Sequence, residues 1–171
     1  ASGVELMNAF LDEVEKRQGE ITGVESYAHD QRSFTAEAKA LVGRSHPEGR
    51  GGEVAKCRTE AREITNEYRR RKALDSCGDK ALPVVDFEAL LIPDGARTVS
   101  YIVPALVAED VLVTNERHLV EAYQKATGNT ALRPVQLLGT NMWNDPELGK
   151  RLGRTIDGAV FVDGFSLDDH T

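Results

Sequence analysis

Ser26, Tyr27, Asp94, Gly95, Thr140, Asn141, Trp143 and Asp163 share a setting. Each closes or follows a short apolar run: ITGVESYAHD (Ile21 to Asp30), FEALLIPDG (Phe87 to Gly95), VQLLGTNMW (Val135 to Trp143) or GAVFVDGF (Gly158 to Phe165). Hydroxyls, carboxylates, an amide and one indole are equipment for holding a small molecule by hydrogen bonds and stacking. Each has a plainer reading beside it. Asp94 either meets a ligand amine or hydroxyl or caps the helix that starts at Ala96. Asn141 either places its amide beside the flat ring of Trp143 or is a turn residue with Trp143 plugging the sheet edge. Tyr27, His29 and Asp30 form either a cluster or a solvated loop. Asp163, beside Gly164, either lines a cleft or begins a crossing segment.

Bond-breaking machinery is harder to find. The sequence holds no Gly-x-Ser-x-Gly elbow, no Gly-rich phosphate loop and no His-Glu-x-x-His pair. Asp86 and Asp94 fall at opposite ends of one run, about 26 Å apart at strand rise, too far to share a metal. His29, His46, His118 and His170 lie in separate segments without ligand spacing, so neither a metal nor a cofactor is expected.

The elements that must position these residues follow from periodicity. Val4, Met7, Phe10, Leu11 and Val14 recur at helical steps and predict an amphipathic helix over 4–17. Ile21 to Tyr27 follows as a strand. Ser33 or Thr35 caps a helix through Val42, which Gly43 stops. Phe87 to Asp94 is a strand and Ala96 to Ala108 a helix kinked at Pro104. Val111 to Val113 suits a short strand. Asn115 caps a helix to Thr127, ended by Gly128. Val135 to Thr140 is a strand, Pro146 opens a helix that ends near Gly153, and Ala159 to Val162 is the last strand. Strands alternating with helices predict an α/β domain with a parallel sheet, whose ligands sit beyond the carboxyl ends of the strands. Such a sheet starts with a strand, yet this chain starts in a helix. The 171 residues are therefore expected to be a piece of a longer protein, or to receive a strand from a partner chain.

Residues 43–83 differ in character, Gly-rich at first and then charged, and read as a partly helical insertion on the domain's flank. Arg58, Arg62, Arg69, Arg70, Arg71 and Lys72 give it a basic helix face, most simply a solvated one. Cys57 and Cys77 lie in the same segment. One unbroken helix would hold them too far apart to bridge, whereas a hairpin would let them pair, so both states stay open. A net charge of −7 argues against nucleic-acid binding by the surface as a whole, and no run approaches the length of a bilayer span.

The order of these segments resembles one lobe of type I periplasmic solute-binding proteins, including the binding-protein-like domains of envelope lipoproteins that activate penicillin-binding proteins. The matching features are Ser2-Gly3 before the first helix, Tyr27 closing a strand, Ser33-Phe34-Thr35, Leu91-Ile92-Pro93, Leu137 to Thr140 and Trp143 to Leu148. The resemblance implies a parallel-sheet three-layer sandwich over residues 1–42 and 84–171, interrupted by the insertion at 43–83. It also implies a non-enzymatic lobe of the bacterial periplasm or cell envelope, of the kind that serves ABC transporters. Such a lobe forms one side of a small-ligand cleft closed by hinge bending against a second lobe. The ligand contacts it implies are Asp94, Gly95, Asn141 and Trp143, with Tyr27 nearby. Asn141 stands where amino-acid binders of that family carry an acid, which argues against amino-acid specificity. The alternative is an envelope interaction module that binds a protein partner and no solute. A third reading is a flavodoxin-like enzyme domain.

Overall fold

The structure, a computed structural model, describes residues 3–45, 51–77, 83–114, 116–128, 130 and 132–163. Among these are seven α-helices and a three-stranded, wholly parallel sheet, a mixed α/β arrangement.

The apolar stripe of the first segment forms helix α1, Gly3–Lys16, yet α1 buries none of its residues fully. Helix α2, Thr35–Leu41, is entered through Phe34 with no side-chain cap, so neither Ser33 nor Thr35 plays the expected part. Phe34 is instead buried in the core, with Tyr27 edge-on at 5.0 Å between ring centroids. Burying a phenyl ring contributes roughly 1.5–3 kcal/mol against about 1 for a cap, so burial of Phe34 decides where the helix starts. Val42 ends α2 and Gly43 turns out with φ +69, as its position predicts.

The insertion is a helical hairpin. Helices α3, Gly51–Arg62, and α4, Glu67–Asp75, pack together, and Asn66 caps α4 by accepting from the Arg69 N–H. That turn brings Cys57 and Cys77 to 5.6 Å between Cα atoms, and they form a disulfide.

Strand β1, Ala89–Leu91, is followed by α5, Ala96–Ala108, an uninterrupted helix containing Pro104 and burying Val99, Ile102, Val103 and Leu106. Helix α6, Arg117–Thr127, ends at Gly128 in the left-handed region; its expected cap, Asn115, lies outside the described residues. Strand β2, Gln136–Gly139, leads through a 3-10 turn at Asn141–Trp143 into α7, Pro146–Leu152, which Asp145 caps at the Glu147 N–H. Strand β3 is Val160–Phe161. The order is β1-β2-β3, with Leu91 opposite Leu138 and Leu138 opposite Val160. Val111 to Val113 contributes a single parallel bridge, Leu112 to Pro134, rather than a strand. Helices α2 and α7 both pack against α5, and the core gathers Phe34, Val99, Val103, Leu106, Val135 and Leu137.

One expected strand does not form. Ile21 to Tyr27 runs without regular structure, and none of its backbone groups hydrogen-bonds within the described chain. A strand exists only with a ladder partner, and β1 is not within hydrogen-bonding reach of this segment. Among the described residues no helix is long and apolar enough to cross a membrane.

Candidate functional site

The register of the sheet assembles three of the candidate residues. Leu91, Leu138 and Val160 form one row across the strands, and Asp94, Asn141 and Asp163 each lie three positions beyond that row. Adjacent strands are about 4.8 Å apart, so Leu91, Leu138 and Val160 span about 10 Å across the sheet. Two bonds extend the ladders toward that edge: Ile92 N–H to the Leu138 carbonyl at 3.0 Å, and Val162 N–H to the Gly139 carbonyl at 3.4 Å.

Asp94 does not cap α5. Its Oδ1 accepts from the Gly95 N–H at 2.6 Å and its Oδ2 from the Tyr27 hydroxyl at 3.2 Å, leaving Gly95 as the residue at the helix entrance with no side-chain cap. A Cβ placed on Gly95 would meet nothing within 4 Å, so there is room at the entrance of α5, and the leading N–H groups of the helix carry the positive end of its dipole. The Tyr27 hydroxyl is pushed well above its ordinary range, by burial first and then by the charge and hydrogen bond of Asp94. It therefore stays a donor across the neutral range, holding the carboxylate oriented. The half-buried Tyr27 is thus tied to the strand-end cluster, while His29 and Asp30 remain exposed.

Asn141 is exposed at the start of its 3-10 turn, where Thr140 Oγ1 accepts from the Met142 N–H at 3.4 Å. Asn144 adds a contact that nothing in the sequence suggests: its side-chain amide donates to the Asp163 carboxylate, linking the loop after β2 to the end of β3. Met142, 44% exposed, offers the apolar surface beside Asn141.

Trp143 does not join this row. It is 2% exposed, its Nε1–H donates to the Ile92 carbonyl at 3.2 Å, and its ring lies against Gly139, where an added Cβ would come within 2.2 Å of Cδ2. The expected ligand contact at Trp143 is replaced by a core wedge that fixes the turn carrying Asn141. A glycine four residues ahead of a tryptophan is the available signal.

A cavity of about 530 Å³ lies elsewhere, between α1, Ile21 to Tyr27, α2 and β1; of the candidate residues only Tyr27 lines it. At the strand ends Tyr27 meets Asp94 and Asn144 meets Asp163, whereas the cavity is lined mostly by apolar residues. Among the described residues no group of three or more His, Cys, Asp or Glu side chains could hold a metal ion.

A second polar cluster closes the base of the insertion. Arg44 donates to Glu109 and Asp110, each at 2.8 Å, and the Tyr123 hydroxyl donates to the other oxygen of Asp110 at 2.5 Å. Burial works to lower the Arg44 pKa, but its bonds to Glu109 and Asp110 outweigh this and raise it. Tyr123 is pushed up to about 12, chiefly by burial and then by its bond to Asp110.

No protein-family model, curated protein or solved structure matches the chain.

Proposed function

We propose that the chain is a non-enzymatic binding domain, a lobe of the type I periplasmic solute-binding architecture with its three-layer sandwich. Its Asp94–Gly95, Asn141 and Asp163 row forms one wall of a small-ligand cleft in a bacterial envelope protein. The observation that carries this reading is the shared register of the three residues beyond the Leu91–Leu138–Val160 row. Parallel strands that end together present a crevice with alternating polar groups. The leading N–H groups of α5, at Ala96 to Thr98, add donors beside the acceptors at Asp94, Asn141 and Asp163. That set suits a ligand with several hydroxyl or amide groups, such as a sugar or short peptide. The Cys57–Cys77 bridge is in keeping with an oxidising compartment such as the periplasm.

The test is thermal unfolding of the protein in the presence of pooled sugars, amino acids and short peptides. A binding ligand raises the midpoint, and Asn141→Ala abolishes the rise while leaving the ligand-free midpoint in place. No rise with any pool overturns the reading.

A second reading, an envelope interaction module, draws on the hairpin. The exposed Arg58, Arg62, Arg69, Arg71 and Lys72 stand on a disulfide-stapled unit set apart from the strand-end row, a surface suited to an acidic protein partner. Excision of the hairpin abolishes partner capture on that reading and leaves solute binding intact on the first.

A further inference from the structure

The outer edge of β1 and the segment Ile21 to Tyr27 face each other across the 530 Å³ cavity, and both have backbone groups without partners. In a parallel ladder alternate residues bond to alternate sides. Glu88 and Ile92 bond toward β2, so Phe87, Ala89 and Leu91 turn their N–H and C=O groups to the other edge, where no bond is made among the described residues. The opposite wall, Ile21 to Tyr27, makes no backbone bond among the described residues. The two stretches meet where the Tyr27 hydroxyl donates to Asp94.

The third wall is α1, whose Met7, Phe10, Leu11 and Val14 line the cavity and are only half-buried. An amphipathic helix that leaves its whole apolar stripe half-covered stands off from the sheet by the space another element would take. Charge narrows the occupant. Glu20, Glu25, Glu37, Asp86 and Glu88 line the cavity with no basic residue among them. One oxygen of Glu37 accepts from Gln31 at 2.7 Å, and the other, Oε2, is buried without a partner. A buried carboxylate oxygen of this kind calls for a donor.

We propose that this groove takes one extended strand of a partner polypeptide, apolar at alternate positions and carrying a lysine or arginine, which adds to the sheet at β1. Strand addition supplies the main-chain bonds that both walls lack, the alternate side chains fill the space under α1, and the cation answers the carboxylates. A small apolar molecule would leave both rows of backbone groups unmatched. The inference is independent of solute binding at the strand ends.

The test uses an acetylated hexapeptide of alternating valine and threonine with a terminal lysine. Two controls accompany it: the same peptide with alternate amides N-methylated, and one with glutamate in place of lysine. Hydrogen exchange of the 171-residue protein is the readout. The lysine peptide is expected to protect amides in Ile21 to Tyr27 and Phe87 to Leu91. The N-methylated and glutamate peptides are expected to bind about tenfold more weakly or worse. Glu37→Gln narrows the gap between the lysine and glutamate peptides. Ala89→Pro, which removes an outward N–H that an edge strand can spare, weakens binding about tenfold while Trp143 emission is unchanged. Should that variant unfold, the N-methylation comparison on the unaltered protein decides alone. Equal binding of the N-methylated peptide overturns the proposal, since the site would then be a mere apolar cavity. Absence of protection in both segments also overturns it, as does protection that arises only from self-association in sedimentation.

Discussion

Val84 donates its backbone N–H to the carbonyl of Val42 at 3.1 Å, so the chain leaves the α/β body and returns to it at a single point. Everything between is a detour whose ends are already adjacent. Closing a loop costs free energy that grows only slowly with its length, so shortening this one changes little. Removing residues 46–82 and joining Ser45 to Pro83 through two glycines should leave Trp143 emission unchanged. The midpoint should move by no more than a few degrees, about 1 kcal/mol in a domain of this size. Loss of cooperative unfolding would show that the hairpin is part of the core.

The hairpin itself depends on its staple. Helices α3 and α4 are short and charged, and within them only Ala61 among the described side chains is buried, with Cys77 just beyond. A bridge across a separation of 20 residues stabilises by about 3 kcal/mol through the restricted unfolded chain. Reduction, or Cys57→Ser with Cys77→Ser, should lower far-UV helical signal and speed amide exchange in α3 and α4. The emission of Trp143 should not move.

Arg44 joins the start of the insertion to the turn after α5, and its side chain and that of Glu109 are each only 9% exposed. Arg44→Ala strands a buried carboxylate and should cost about 3–5 kcal/mol in chemical denaturation. Replacing Arg44 and Glu109 together by Met and Leu should cost much less, since no charge is left unpaired.

Tyr123 belongs to the same cluster and gives it a pH signature. Its pKa is raised in the folded state to about 12, above the ordinary phenol value of about 10. The corresponding stability is therefore complete below pH of about 10 and is lost as pH rises through 12. Alkaline titration of phenolate absorbance should show late-titrating components, and Tyr123→Phe and Tyr27→Phe should each remove one.

Gly139 and Trp143 test the core wedge. A Cβ at Gly139 would lie 2.2 Å from the indole, a rigid neighbour that cannot bend aside. Gly139→Ala should destabilise by about 1–3 kcal/mol. It should also shift the emission of the single tryptophan to the red as the ring is expelled.

Much of this fold is legible in the sequence, for reasons specific to particular residues. Ala96 to Ala108 matches its helix end to end because the apolar positions recur at three and four residues between Gly95 and Asp110. Asp145-Pro146, Gly43 and Gly128 mark helix ends through rules that depend on neighbouring residues alone. Asp94, Gly95 and Asn141 are legible as residues that follow a strand for the same reason. What cannot be read depends on distant partners. Ile21 to Tyr27 has strand-like composition, but pairing is a property of two segments, and no described neighbour lies in reach. Arg44 meets Glu109 and Asp110 across 65 and 66 residues, with nothing local to announce it. The pairing of Cys57 with Cys77 requires a break in the helix between them, and Asn66 is its only sign. Trp143 reads either as a stacking surface or as a plug at the sheet edge; its burial against Gly139 agrees with the plug.

The most direct test of the central claim is an amide NMR titration of the protein with the pooled ligand that raises its midpoint most. Binding at the strand-end row predicts that the largest shifts fall on Gly95, Thr140, Asn141 and Asp163, and that Asn141→Ala removes them. Shifts confined to Ile21 to Tyr27 and β1, or spread evenly over the protein, would contradict it.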